Sequence, residues 1–262
     1  MMKLRLGLRD FFDAMRQSRA WFYLGFWEVK QRYQRSVLGP WWITISMLIF
    51  IVVMGVIYSR LFHQDVTEYL PFFTAGFLFW TFISSTINES ADLFKSNSGF
   101  VKQIKLPYNL YVLKLLTRNV IILAHNLATY FLVVGYYRFN PGWTSLLVIP
   151  GFLFLLVNLY WMTLLIALIS TRFRDMVPII NSCVQIAFFV TPISWMPKLL
   201  DNSIIVKMNP LVYLLDLVRL PLLGIVPPLN EWIISASIAA VGGAFSLMVF
   251  SRVRIRIPFW VD

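Results

Sequence analysis

Charge is scarce in this sequence. Asp, Glu, Lys and Arg make up 13% of it, about half the share of an ordinary soluble domain. Cysteine is nearly missing: the single Cys183 excludes an intrachain disulfide and a cysteine-based metal set. No glycine-rich phosphate loop ending in Lys-Ser or Lys-Thr occurs, so ATP chemistry is not expected in this chain. The opening stretch from Met1-Met2-Lys3-Leu4-Arg5 is polar and lacks the early apolar core of a cleavable signal peptide. Acidic residues are the rarer sign, 12 against 23 Lys and Arg, for a net charge of +11. The Lys and Arg residues flank apolar runs instead of forming one surface. That is the loop charge of a membrane protein, not a nucleic-acid footprint.

What abounds is apolar surface. Hydrophobic residues reach 59% and mean hydropathy is +0.72, more than a compact soluble fold can hide. A bilayer core about 30 Å thick takes about 20 helical residues. Uncharged runs extend over residues 41–59, 69–88, 119–137, 139–171, 176–197 and 232–251. Asn140-Pro141-Gly142 near the start of the fourth reads as a turn. These runs predict an all-α membrane protein with six transmembrane helices. One transmembrane domain over 1–262 is expected: an interface segment (1–40), a six-span bundle (41–251) and a tail (252–262).

Basic residues set the orientation. The head carries Lys3, Arg5, Arg9, Arg16, Arg19, Lys30, Arg32 and Arg35. The segment after the second run carries Lys95, Lys102 and Lys105; Arg172 and Arg174 follow the fourth, and Arg252, Arg254 and Arg256 form the tail. The other side holds Arg138, Lys198, Lys207 and Arg219. Both termini are therefore expected in the cytoplasm, and six crossings return the tail to the side of the head.

Several segments are not simple spans. Leu8, Phe11, Phe12 and Met15 oppose Arg9, Asp13 and Arg16 at helical spacing, which predicts an amphipathic helix on the membrane surface. The aromatics from Trp21 to Trp27 suit the headgroup level. Lys30 to Arg35 then concentrate charge before the first span. This is either a positive-inside anchor or, through the fork geometry of Arg32 and Arg35 beside Tyr33, a docking place for a lipid pyrophosphate. Between Glu89 and Asn109, Ser96-Asn97-Ser98-Gly99 reads as a turn. Phe100 to Leu106 then reads as a short helix stopped before Pro107, with Phe100, Val101 and Ile104 on one face and Lys102 and Lys105 beside it. Two turns are unstable alone in water. The segment either packs on its own bundle or lipid, or inserts into a cytoplasmic motor subunit. Between spans 5 and 6, Lys198 to Glu231 is too apolar for an exposed loop, and two short re-entrant helices account for it. Pro178, Asn181, Gln185 and Pro192 in span 5 suit either a polar lining or packing.

Aromatic residues make up 17%. Rings stack on the C–H faces of sugars without demanding one sequence, so Tyr58, Phe72, Phe73, Phe77, Phe188, Phe189 and Trp195 are candidate channel residues; the same rings also fill helix contacts and face lipid. Arg118, His125 and Asn126 lie in the third span, Arg118 and His125 seven apart on one face. An interhelical bond is favoured there over a substrate contact. No Asp or Glu sits in mid-span to serve a proton relay.

Four motifs in order carry a resemblance. The run Arg32-Tyr33-Gln34-Arg35-Ser36-Val37-Leu38-Gly39-Pro40-Trp41-Trp42, the segment Phe100 to Pro107, Arg172-Phe173-Arg174-Asp175, and Asn209-Pro210 followed by Arg219 and Gly224 resemble bacterial polysaccharide-export ABC transporter permeases of the O-antigen Wzm type. The resemblance covers nearly the whole chain. It implies a homodimer of six-span subunits in the bacterial inner membrane above two nucleotide-binding ABC subunits, which hold ATP and Mg. It implies a glycan on undecaprenyl pyrophosphate as substrate, a coupling role for the Phe100 segment and an outer gate at Asn209, Pro210 and Arg219. Capsule and teichoic-acid exporters share this layout. An ion-coupled transporter, a membrane glycosyltransferase and a passive scaffold remain as alternatives from the residues alone.

Overall fold

The computed structural model describes residues 2–34, 39, 41–200 and 204–261, and among them every regular element is helical. The head forms α1 (Met2–Arg16) and α2 (Ser18–Tyr33), broken at Gln17. Next come α3 (Trp41–Leu61), α4 (Val66–Ser90), the short α5 (Leu93–Ser96) and α6 (Ser98–Gln103), and α7 (Tyr108–Tyr137). A 3-10 turn over Gly142–Leu147 leads into α8 (Val148–Arg172), followed by α9 (Met176–Val190), α10 (Ile204–Met208), α11 (Pro210–Leu222), α12 (Leu229–Val253) and α13 (Ile257–Trp260).

Five of these, α3, α4, α7, α8 with its 3-10 lead, and α12 with its tail, are long and apolar enough to cross a membrane. The fifth uncharged run behaves differently. Its helix α9 is 15 residues long, about 22 Å at 1.5 Å per residue, short of a full hydrocarbon core. Pro192 follows its end, where the chain turns.

Packing follows sequence spacing. Along α3, Met47, Ile51, Gly55 and Ser59 recur every four residues and are buried, while Ile49, Val52, Val53 and Ile57 on other faces are exposed. This is one packed stripe and one lipid-type surface. Central α4 is enclosed along most of its length. Asp65 caps it by accepting from the Thr67 amide at 2.7 Å, and the Thr67 bonds hold that exposed carboxyl below its ordinary value. Helix α7 spans 30 residues, about 45 Å, longer than a hydrocarbon core of about 30 Å. Close approaches of backbone explain two glycines. A Cβ on Gly25 of α2 would stand 2.9 Å from the Lys114 carbonyl of α7, and one on Gly151 of α8 would stand 2.2 Å from the Leu217 carbonyl of α11.

Helix α11 is not a surface loop. Its Leu214, Leu215, Leu217 and Val218 are fully buried, against α8, α12 and α4. Head and tail meet at one end of the bundle: α1 packs on α12 and α7, and Arg254 donates to the Leu6 carbonyl.

Candidate functional site

The head end is built around the first turns of α7. Pro107 stands at the N-cap position and offers no side-chain cap. Asp10 of α1 supplies one from far away in sequence. It accepts from the Tyr108 amide at 3.3 Å, the Asn109 amide at 3.1 Å and the Asn109 side chain at 2.8 Å. A carboxylate at a helix start is also favoured by the dipole. Arg254 of the tail lies 3.4 Å from the same carboxylate, and Tyr160 of α8 donates to Asn109 Oδ1. Burial pushes the Asp10 carboxyl above its ordinary value, against the pull of its Asn109 donors and Arg254.

A second cluster sits beside it. Lys114 of α7 binds Glu28 of α2 at 2.5 Å and Asn97 Oδ1 at 2.7 Å. Arg118 pairs with Glu28 at 3.2 Å and with Glu89 at the end of α4. Asn119 donates to Glu89 at 2.9 Å and to Thr86 at 3.1 Å. Because Asn97 is the hinge between α5 and α6, Lys114 ties the base of α6 to both α2 and α7.

The Phe100 segment is helical, with bounds other than those expected. Ser98 and Gly99 are helical, Asn97 alone breaks the chain, and α6 ends at Gln103. Ile104 is extended (φ −123°, ψ 127°), because Pro107 has no N–H for the Gln103 carbonyl and its ring would clash with it were the helix to continue. Phe100, Val101 and Ile104 therefore do not share one face. Val101 is buried, while Phe100 is 56% and Ile104 48% exposed. Lys102 and Lys105 are exposed beside them. A groove of about 780 Å³ runs between α1 and this segment, lined by Arg9, Asp13 and Arg16 on one wall and Val101, Lys102, Ile104 and Lys105 on the other.

The remaining expected residues divide. Arg32 is exposed at the end of α2; Arg35 and the Tyr33 side chain lie outside the described residues. Among the channel candidates, Phe73 is fully buried and Phe72 nearly so, packed in the chain's own core, so their faces are closed to any passing polymer. Phe73 instead starts a row: Tyr58 at 6.1 Å, Phe77 at 5.3 Å, then Phe188 at 6.4 Å and Phe189 at 5.4 Å between centroids. Tyr58, Phe77 and Phe188 are half-buried and Phe189 is exposed. Trp195 donates to the Phe189 carbonyl at 3.0 Å. The ring of His125 turns back to the Ile121 carbonyl of its own helix, correcting the interhelical expectation there; Arg118 meets it.

At the opposite end Asn209 caps α11, accepting from Leu211 at 3.0 Å and donating to Thr191 at 2.9 Å, with Pro210 in the first turn. Arg219 is 1% exposed. It donates to the Pro192 carbonyl, pairs with Asp216, and lies 4.8 Å over the Phe72 ring. Sequence reading found Arg219 but missed Asp216, three residues before it on the same face. It also missed Asp10, Glu28 and Asn97, whose partners lie far along the chain.

Comparison with known proteins places this architecture. Residues 19–223 match the family model described as ABC-2 type transporter. The O-antigen export system permease protein RfbA of Myxococcus xanthus is 21% identical over 192 residues, covering 72% of this chain and 74% of that protein. The protein of the same name from Klebsiella pneumoniae is 23% identical over 194 residues, covering 70% and 72%. With head-end helices, apolar spans and a family match over most of its length, this chain belongs to the ABC-2 type transporter membrane family.

Proposed function

We propose that this chain is the permease of an exporter that carries a polysaccharide on undecaprenyl pyrophosphate, O-antigen first among the candidates, across the bacterial inner membrane. Two copies of the chain form the pathway, and two separate ABC subunits with ATP and Mg drive it. The observation that carries this reading is the α6 segment. Phe100 and Ile104 are presented outward while Lys114–Asn97 fixes its base to α2 and α7. An isolated two-turn helix exposing large apolar side chains calls for a partner groove.

Further observations support the geometry. Head and tail share one end, which needs an even number of crossings, so short α9 is counted as the fifth of six. On α9, Asn181, Ser182 and Gln185 are exposed along with Ile186 and Phe189. Such a face in a bilayer suits a second subunit or a wet path better than lipid. The excess of basic residues at the head end supports a cytoplasmic position for it. A motor stroke at α6 then passes through Lys114 to α7 and α2, and on to the bundle. The lipid pyrophosphate docks near Arg32, and Tyr58, Phe77, Phe188, Phe189 and Trp195 offer rings to the glycan. Asn209, Pro210 and Arg219 brace the outer gate.

The test replaces Phe100 or Ile104 with Asp in the full complex. Export is expected to fall to background while ATP hydrolysis and the folded bundle persist. Normal export in both variants would overturn the coupling reading.

A further inference from the structure

Thr81, Ser85 and Glu89 recur every four residues along α4 and share one stripe of that helix. Asn119 and Asn126, seven apart on α7, share another. A crevice of about 100 Å³ lies between the two stripes, and Arg32 of α2 also lines it.

The polar groups at its two ends differ. Glu89 and Asn119 are satisfied by Arg118 and Thr86. Asn126 is 4% exposed, and its Oδ1 is buried without a hydrogen-bond partner. Ser85 is half-buried and makes no hydrogen bond among the described residues, and Arg32 makes no ion pair among them. An orphaned amide oxygen in a membrane helix is costly, and its persistence calls for a donor from outside the chain. The crevice thus offers a guanidinium and a hydroxyl to an anion, and an amide carbonyl to a hydroxyl. Because Glu89 is already neutralised by Arg118, its charge does not oppose an anion.

We propose that this crevice seats the headgroup of a hydroxyl-bearing lipid phosphate, with the phosphate at Arg32 and Ser85 and a headgroup hydroxyl on Asn126. The seat rests on the export reading only for its natural source. Both a glycosylated polyprenyl diphosphate and phosphatidylglycerol carry this chemistry.

A Thr81→Cys variant of the full-length chain, purified in detergent, supplies the test, since Thr81 lines the crevice without being assigned to the phosphate. The introduced thiol is labelled with a maleimide, and exposed Cys183 on α9 serves as an internal control. The probes are a short-chain polyprenyl diphosphate carrying N-acetylglucosamine, phosphatidylglycerol, and the polyprenol without a headgroup. A headgroup-bearing probe is expected to protect the introduced thiol and leave Cys183 reactive, while the bare polyprenol does nothing. Adding Asn126→Leu or Arg32→Gln is expected to raise the protecting concentration about tenfold, the value of one charge-assisted or buried hydrogen bond. Arg32 is exposed, so its replacement leaves packing intact.

Protection by the glycosyl diphosphate alone supports the seat and assigns it to the transported carrier. Equal protection by phosphatidylglycerol supports it and assigns it to bulk lipid. Labelling unaffected by every probe, or protection indifferent to both Asn126→Leu and Arg32→Gln, overturns it. Repeating the assay with Phe100→Asp separates this proposal from the export reading: coupling can fail there while protection persists, and protection can fail where coupling holds.

Discussion

The two ends of the bundle are both held by charges inside an apolar frame, and they are held differently. At the head end Lys114, Arg118, Glu28 and Glu89 form a branched cluster across three helices. Glu28 and Glu89 remain about a third exposed, so water can take over a lost partner. At the opposite end one cation does everything. Arg219 is enclosed, and it joins Asp216 on its own helix to the Pro192 carbonyl beyond α9. The head end resembles a clamp with exchangeable contacts. The far end resembles a single bolt between α11 and the end of α9.

The largest effect that sharpens this contrast concerns the bolt. Arg219→Ala leaves Asp216 buried with no cation, and a broken buried pair costs about 3–5 kcal/mol. Arg118→Ala leaves two carboxylates that can hydrate, and about 1–2 kcal/mol is expected from the lost charge-assisted bonds. Thermal unfolding of the purified variants in detergent compares them directly. Equal losses would mean that the head end is as closed as the far end, and the clamp-and-bolt distinction would go.

Two glycines test the same contrast through sterics. Gly151→Ala drives a methyl into the Leu217 backbone at 2.2 Å, whereas Gly25→Ala meets the Lys114 carbonyl at 2.9 Å. Neither obstacle is a side chain that can swing away. The α8–α11 contact is expected to lose about 2–3 kcal/mol and the α2–α7 contact about 1 kcal/mol. A larger loss for Gly25→Ala in the same unfolding assay reverses the ranking of the two ends.

The contrast also explains which parts of the molecule were legible in the sequence. Long uncharged runs mark α3, α4, α7, α8 and α12 because a bilayer demands length and forbids charge. The same rule overstated α9, since the uncharged run continues through Thr191 and Pro192 after the helix has stopped. Phe100 and Ile104 were found as apolar residues in a polar segment. Their outward direction depended on where α6 ends, and a one-residue change in helix length rotates a face by about 100°. The Asp216–Arg219 pair was readable in principle, being three apart on one helix. Asp10, Glu28 and Asn97 were not, because their partners lie on other helices and no periodicity links them. Phe72 and Phe73 look like any other aromatics until neighbouring helices close over them.

The smallest effect concerns Asp10, where the head end comes nearest to the far end in character. Its carboxyl is 3% exposed yet is met by three donors and Arg254. Burial still wins, since its folded value lies above the ordinary one. Between the unfolded and folded values the native chain therefore holds more protons than the unfolded chain. The Asp10 contribution is full below the unfolded value, declines as pH rises through the folded value, and is level above it. Asp10→Asn keeps one acceptor oxygen, enough for the two Asn109 donors but not for the Tyr108 amide on the other oxygen, and never ionises. Near neutral pH it is expected to change α1 attachment by no more than about 1 kcal/mol, read as protease release of the head. The wild-type advantage over Asp10→Asn is expected to grow as pH falls from the folded value toward about 3.9. The opposite trend, attachment of the wild type strengthening relative to the variant as pH rises, would mean that the donors and Arg254 outweigh burial. Asp10 would then be a second bolt, and the contrast between the two ends would weaken.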